Sequence, residues 1–178
     1  DSQMLVQSKS SDDFTVIGPQ SKVQKAFGML RPTIDSFSVR KYKDRTRALF
    51  SSNQVPFSSV VDKINNINPD IVHLHWISGG MLRIEDFDKI NVPIVWSLHD
   101  MWAFTGGCHY DEQCGAYKNK CGTCPVLGSS KLLDLSRKVW LRKQATFSKM
   151  ANLHIIGLSK WMTDCAKQSS LFKNSRVC

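Results

Sequence analysis

No run of apolar residues in this chain approaches the roughly 20 needed to span a bilayer as a helix, so it offers no candidate membrane-spanning helix. There is no basic n-region and no signal-type apolar stretch at the start. Asp1 leads straight into Ser2-Gln3-Met4-Leu5-Val6-Gln7 without an initiator methionine, and the expectation is the interior of a longer chain. Internal repeats and low-complexity tracts are missing, and 178 residues suffice for one domain with a real core but not for two. Acidic residues are scarce: 15 Asp and Glu face 24 Lys and Arg, a net charge of +9 that favours an anionic partner. Nucleic acid is not the expected one, because neither an RNP-like aromatic strand nor a Cys/His finger spacing accompanies the charge. The basic residues gather in two places. Lys22, Lys25, Arg31, Arg40, Lys41, Lys43, Arg45 and Arg47 meet only Asp35 and Asp44, while Arg137, Lys138, Arg142 and Lys143 surround Trp140. Each group reads either as a solvated face or as a docking surface; Val23, Phe27 and Leu30 between the first basic residues suit an anionic membrane surface.

What is present is a strand–helix alternation. Met4–Gln7 and Phe14–Ile17 read as short strands, the second stopped by Gly18-Pro19. Val23, Phe27 and Leu30 recur at helical spacing before Pro32, and Thr33–Gln54 reads as irregular. Helix resumes over Ser58–Asn66. Pro69-Asp70 then introduces Ile71-Val72-His73-Leu74-His75-Trp76, a helix spans Ile84–Ile90, and Val92-Pro93 introduces Ile94-Val95-Trp96-Ser97-Leu98. Strand, helix and strand with short turns make a βαβ unit, hence a parallel sheet covered on both faces. After a Cys- and Gly-rich loop over 101–128, Leu132–Met150 is helical, His154–Gly157 is a third core strand, and Ser159 caps a helix to about Ser169. Arg176-Val177-Cys178 begins a further strand.

Ligands of an open parallel sheet bind beyond the carboxyl ends of its strands. His75-Trp76, His99-Asp100 and Ser159-Lys160 fall there. Trp76 reads as a sugar-stacking platform or a packed core aromatic, and His73 as a buried, hydrogen-bonded residue. Ser159 reads as an N-cap, a substrate contact, or both. Gly106-Gly107 can bring backbone amides to an oxyanion but lacks the G-x-G-x-x-G spacing, so turn freedom for a closing loop is its other reading. Cys108, Cys114, Cys121 and Cys124 form C-x5-C-x6-C-x2-C within one loop. Four thiolates suit a structural Zn²⁺ that does no chemistry; disulfides and free thiols are the alternatives, and His109 is a substitute ligand.

The segments Pro69–Trp76, Pro93–Asp100 and Ile155–Trp161 resemble, in order and spacing, the "PDIVHxH", "PxVxTxHD" and "xIxxSxxxxxxL" motifs of family 4 retaining glycosyltransferases. The loop Met101-Trp102-Ala103-Phe104-Thr105-Gly106-Gly107-Cys108-His109-Tyr110 is similar to that of the colanic-acid-type and other exopolysaccharide enzymes. The resemblance covers Pro69 to Ser170. It implies an α/β fold, a Rossmann-like parallel sheet with helices on both faces, forming the N-terminal, acceptor-side half of a glycosyltransferase B fold. By the same resemblance residues 1–178 are part of that domain, with its first strand and the C-terminal donor-binding domain lying outside them.

The resemblance further implies transfer of a sugar, with retention, from a nucleotide-sugar donor to a lipid-linked or polysaccharide acceptor. The place would be the cytoplasmic face of the cell membrane, without a catalytic metal, and the fragment alone would be inactive. His99 would face the donor sugar, and Asp100 would orient His99 or accept from the acceptor hydroxyl. A helix-capping Asp beside a satisfied His is the plainer reading of that pair. His75, Trp76, Gly106, Gly107, Ser159 and Lys160 would contact substrate. Two rival functions remain: a sugar-nucleotide epimerase of the same fold, and a non-catalytic zinc-stabilised binding module.

Overall fold

The computed structural model describes residues 2–178. Strands β1 (Met4–Leu5) and β2 (Val16–Ile17) pair in parallel as a separate small sheet. Helix α1 (Lys22–Arg40) starts at a capping box: the Ser21 hydroxyl accepts from the Gln24 amide at 3.1 Å, and the Gln24 side chain accepts in return from the Ser21 amide.

The expected stop before Pro32 does not occur, and the stretch from Thr33 to Arg40, expected to be irregular, is helical. Proline withholds the amide that would bond the carbonyl four residues back. That carbonyl, on Gly28, accepts instead from the Gln7 side-chain amide at 2.9 Å. Glycine is what allows the approach, since a Cβ at position 28 would lie 2.9 Å from the Gln7 carbonyl. The inward ridge of α1 is Gly28, Arg31, Asp35 and Val39. Buried charges need partners. Arg31 donates to the carbonyls of Gly80 (2.6 Å), Val55 (3.1 Å) and Pro56 (3.0 Å), and Asp35 accepts from the amides of Ser52 and Gln54 and from the Ser52 hydroxyl. Both side chains thereby organise the irregular segment that follows α1.

Helix α2 (Val60–Ile67) buries Val61 and Ile64 and ends on Asn68 in the left-handed conformation. Strands β3 (Val72–Leu74) and β4 (Ile94–Leu98) are joined through 3-10 turns over Ile84–Lys89, where an α-helix was expected. Helix α3 (Leu135–Phe147), strand β5 (Leu153–Gly157), helix α4 (Lys160–Gln168) and strand β6 (Arg176–Val177) complete the chain. The four strands form one parallel sheet in the order β3-β4-β5-β6, with Leu74 beside Trp96 and Leu98 beside Gly157. The result is a mixed α/β fold with parallel sheets, consistent with a Rossmann-like architecture.

Val72, Leu74, Ile94, Trp96, Leu98, Leu153 and Ile155 are buried and supply the core face of this sheet. Phe87 from the 84–89 turns and Phe147 from α3 close on Trp96, with ring centroids 5.1 and 6.1 Å away. On the opposite face Ser97 is buried, Val95 and His154 are half-buried, and His73 and Ile156 are exposed. No helix of the described residues is long and apolar enough to cross a membrane.

Candidate functional site

Because β3 and β4 are parallel neighbours, the residues just past their carboxyl ends meet. His75 Nδ1 lies 3.0 Å from His99 Nε2, so one imidazole donates to the other. The Trp96 indole N–H donates to the His75 carbonyl at 3.1 Å, fixing the backbone beneath the pair. His73, expected to be buried, is exposed yet still hydrogen-bonded, its Nε2 2.8 Å from the Ser97 hydroxyl. Partial burial, then the neighbouring His73 and His99, lowers the pKa of His75 below the ordinary histidine value, which keeps it neutral at pH 7. The pair borders an open depression of about 230 Å³ that is also lined by Trp76, Trp96, Asp100 and Trp102. Trp76 is 51% exposed, so it is not a core aromatic.

Asp100 lines the same depression but does not orient His99. Its Oδ2 meets His109 Nδ1 at 2.6 Å, and its Oδ1 accepts from the Trp102 amide at 2.8 Å. Burial raises the carboxyl pKa, but the His109 and Trp102 contacts outweigh it and leave the group below the ordinary aspartate range. His109 Nε2 in turn lies 3.0 Å from the Ser51 hydroxyl. The order Asp–His–Ser is that of a nucleophilic triad. Ser51 and His109 are nevertheless 4% and 3% exposed, and neither lines the depression, so the chain of bonds orients the 100–109 loop and activates no nucleophile. Both ring nitrogens of His109 are thus engaged in this relay. Ser51 had no sequence signal at all, lying in a stretch without periodicity.

Gly106 and Gly107 do not reach the depression either. A Cβ on Gly106 would fall 2.5 Å from the Ser136 carbonyl, and one on Gly107, at φ +119°, 2.7 Å from the Phe50 ring. The Gly107 amide is used by the Thr105 hydroxyl at 3.3 Å. Their role is close packing and turn freedom, the second of the two readings. Ser159 and Lys160 follow β5 at the same edge of the sheet. Ser159 caps α4 by accepting from the Met162 amide at 3.1 Å; both residues are exposed and lie outside the depression that unites His75 and His99.

A further polar group underlies the loop. Lys143, read from sequence as part of a basic group around Trp140, is fully buried. It donates to the carbonyls of Trp102 and Thr105 and stacks over the Trp102 ring, 3.6 Å from its centroid. Burial pushes its pKa down to about 7, against the opposing pull of Cys108, Cys121 and Asp100. All six cysteines are free, so the disulfide alternative is not observed. Cys108, Cys114, Cys121 and Cys124 line one small, partly open pocket in the same loop.

No protein-family profile matches the chain, and no solved structure does. One curated protein does match, "Putative colanic acid biosynthesis glycosyl transferase WcaC" of Escherichia coli K12, at 28% identity over 78 residues. The similarity covers 39% of this chain and 19% of that protein's length. It supports a glycosyltransferase and nothing narrower.

Proposed function

We propose that this chain forms the acceptor-side part of a family 4 retaining glycosyltransferase. It would act in exopolysaccharide synthesis, passing a sugar from a nucleotide donor to a lipid-linked or polysaccharide acceptor. The observation that carries this reading is the His75–His99 pair beside Trp76 at the carboxyl edge of a parallel sheet, where such folds place ligands.

The chemistry asks two things of this half of the enzyme. An acceptor hydroxyl must be held near the anomeric carbon while the bond to the diphosphate breaks, and the hydroxyls of the transferred sugar must be gripped as charge develops. His99 is placed to hydrogen-bond a sugar hydroxyl. His75 takes over the orienting role first given to Asp100, because its Nδ1 fixes the ring of His99. Trp76 offers a stacking face for a pyranose. Asp100, held by His109 and Trp102, sets the wall of the depression rather than turning His99. Groups that stabilise the leaving diphosphate belong, in this reading, to the donor-binding part of the longer protein.

The test uses the full-length protein and a panel of nucleotide sugars, with transfer to lipid-linked saccharide measured directly. His99→Ala should lower turnover about 100-fold, as loss of one transition-state hydrogen bond does, with the thermal unfolding midpoint unchanged. Equal turnover of variant and parent, or no transfer from any donor in the panel, would overturn the proposal.

A further inference from the structure

Building on the transferase reading, we propose that Lys143 is a positioning residue, which sets the histidine pair from behind through two tryptophans. Helix α3 turns Val139, Lys143 and Phe147, four residues apart, onto one buried face. An apolar side chain is what the middle of such a ridge calls for. A buried lysine without an acidic partner costs stability, because it must either desolvate its ammonium or give up the proton. Lys143 has no such partner: none of the ion pairs among the described residues includes it. Its contacts fall instead on a single turn of the loop beside the depression. Nζ donates to the carbonyls of Trp102 and Thr105, and it lies 3.6 Å from the centroid of the Trp102 ring. Amine hydrogens over an indole face are drawn to its π electrons. Trp102 is thereby gripped by both backbone and ring.

From Trp102 the contacts run on to the candidate site. Its indole N–H donates to the Ser51 carbonyl at 2.8 Å and its amide to Asp100 at 2.8 Å, so the ring has a fixed place. Its neighbour is Trp96, with ring centroids 6.1 Å apart. The Trp96 indole N–H donates to the His75 carbonyl at 3.1 Å, and His75 Nδ1 lies 3.0 Å from His99 Nε2. Both tryptophans and both histidines line the same depression. Each step from α3 to His99 is thus a packed ring or a hydrogen bond. Methionine at 143 keeps most of the aliphatic stem but releases the Trp102 carbonyl and ring. Trp102 and Trp96 then lose their common support, and the backbone that carries His75 shifts with them.

The experiment compares full-length parent, Lys143→Met, Trp96→Phe and the double variant, using the transfer assay described above. Lys143→Met should keep the parent's circular dichroism and its KM for the nucleotide sugar to within about twofold. Its kcat should fall at least about tenfold, since an ångström of misplacement costs up to about 100-fold. Trp96→Phe breaks the far end of the same route and should show a comparable loss. The double variant should be no worse than the more impaired single one, because the two residues act in series. Parent-like turnover in Lys143→Met, or losses that multiply in the double variant, would overturn the inference while leaving the transferase reading intact. Should Lys143→Met not fold, Trp96→Phe decides alone, and parent-like turnover there counts against the inference. If the parent itself transfers from no donor, the transferase reading fails, and nuclear magnetic resonance decides the geometry. In Lys143→Met the Trp96 indole signal and the ring signals of His75 and His99 should then move; signals that stay in place overturn the inference.

Discussion

At the scale of single residues, the chain shows how far one side chain reaches. Gln7 lies 21 residues before Gly28, yet its amide supplies the hydrogen bond that Pro32 cannot, and it donates again to the Gly79 carbonyl at 3.3 Å. Removing it strands a helix carbonyl beside a proline. Gln7→Ala should therefore cost about 1–2 kcal/mol, read as a lower urea midpoint at unchanged slope; an unchanged midpoint would mean that water satisfies Gly28 just as well. The two site histidines make a sharper contrast. If His75 acts by orienting His99, then His75→Asn, which keeps a hydrogen-bonding side chain, should retain more turnover than His75→Ala. His99→Asn should be as impaired as His99→Ala, because position 99 has to meet substrate itself. Steady-state transfer rates of the four full-length variants check this; an equal loss in both His75 variants would remove the orienting role.

At the scale of elements, the clearest fastening between α3 and the rest is the Arg142–Glu85 pair. Arg142 donates from Nε to one carboxylate oxygen at 2.5 Å and from Nη2 to the other at 2.9 Å, then reaches the carbonyls of Ser52 and Asn53. Burial works against the Glu85 carboxylate, but the Arg142 contact outweighs it and brings the pKa down to about 2 from 4.5. A depressed carboxyl pKa stabilises the fold above the unfolded value, near 4.5, and that contribution is lost as pH falls towards about 2. Glu85 is 37% exposed, so solvent screening limits its worth to about 1 kcal/mol. Glu85→Gln should lower the unfolding midpoint at pH 7 by a few degrees, with the gap to the parent closing near pH 2; a gap that does not change with pH would assign the loss to packing. This level is also where the sequence was most and least legible. Pro69 and Pro93 announce β3 and β4, and Ser159 caps α4 as its type demands, so the edge carrying His75, His99 and Ser159 could be placed from pattern alone. Helix α1 beyond Pro32 could not, since its continuation depends on Gln7. Nor could the buried segment around Ser51–Asn53, whose partners Asp35, His109 and Arg142 are distant in sequence.

At the scale of the whole molecule, the excess of 24 basic over 15 acidic residues acquires a direction from α1. The expected basic triplet Lys22, Lys25 and Arg31 is not what α1 presents: Arg31 is 5% exposed and bonded to four carbonyls, so it holds the 55–57 and Gly80 backbone and meets no partner. Lys22 and Lys25 remain exposed, and with them Val23, Met29 and Leu30, at 78%, 72% and 55%. Val23 and Leu30, seven residues apart and hence on one face of the helix, are both exposed, whereas Phe27 between them is half-buried with the Arg31 guanidinium over its ring. An outward apolar face flanked by lysines is what interfacial helices offer to anionic headgroups, and a lipid-linked acceptor of the kind proposed would be held at such a surface. Full-length protein should co-sediment with phosphatidylglycerol vesicles at low salt and be released as salt rises. Each basic residue near an anionic surface is worth about 1 kcal/mol. Reversing Lys22 and Lys25 to Glu removes two attractions and adds two repulsions, so the vesicle affinity should fall by at least tenfold while the circular dichroism of the protein stays as it was. Val23→Ser with Leu30→Ser tests the apolar half separately and should weaken binding at every salt concentration. Binding that the charge reversal leaves unchanged, or no binding at low salt, would assign these lysines to a solvated face and leave the acceptor to reach the histidine pair by diffusion alone.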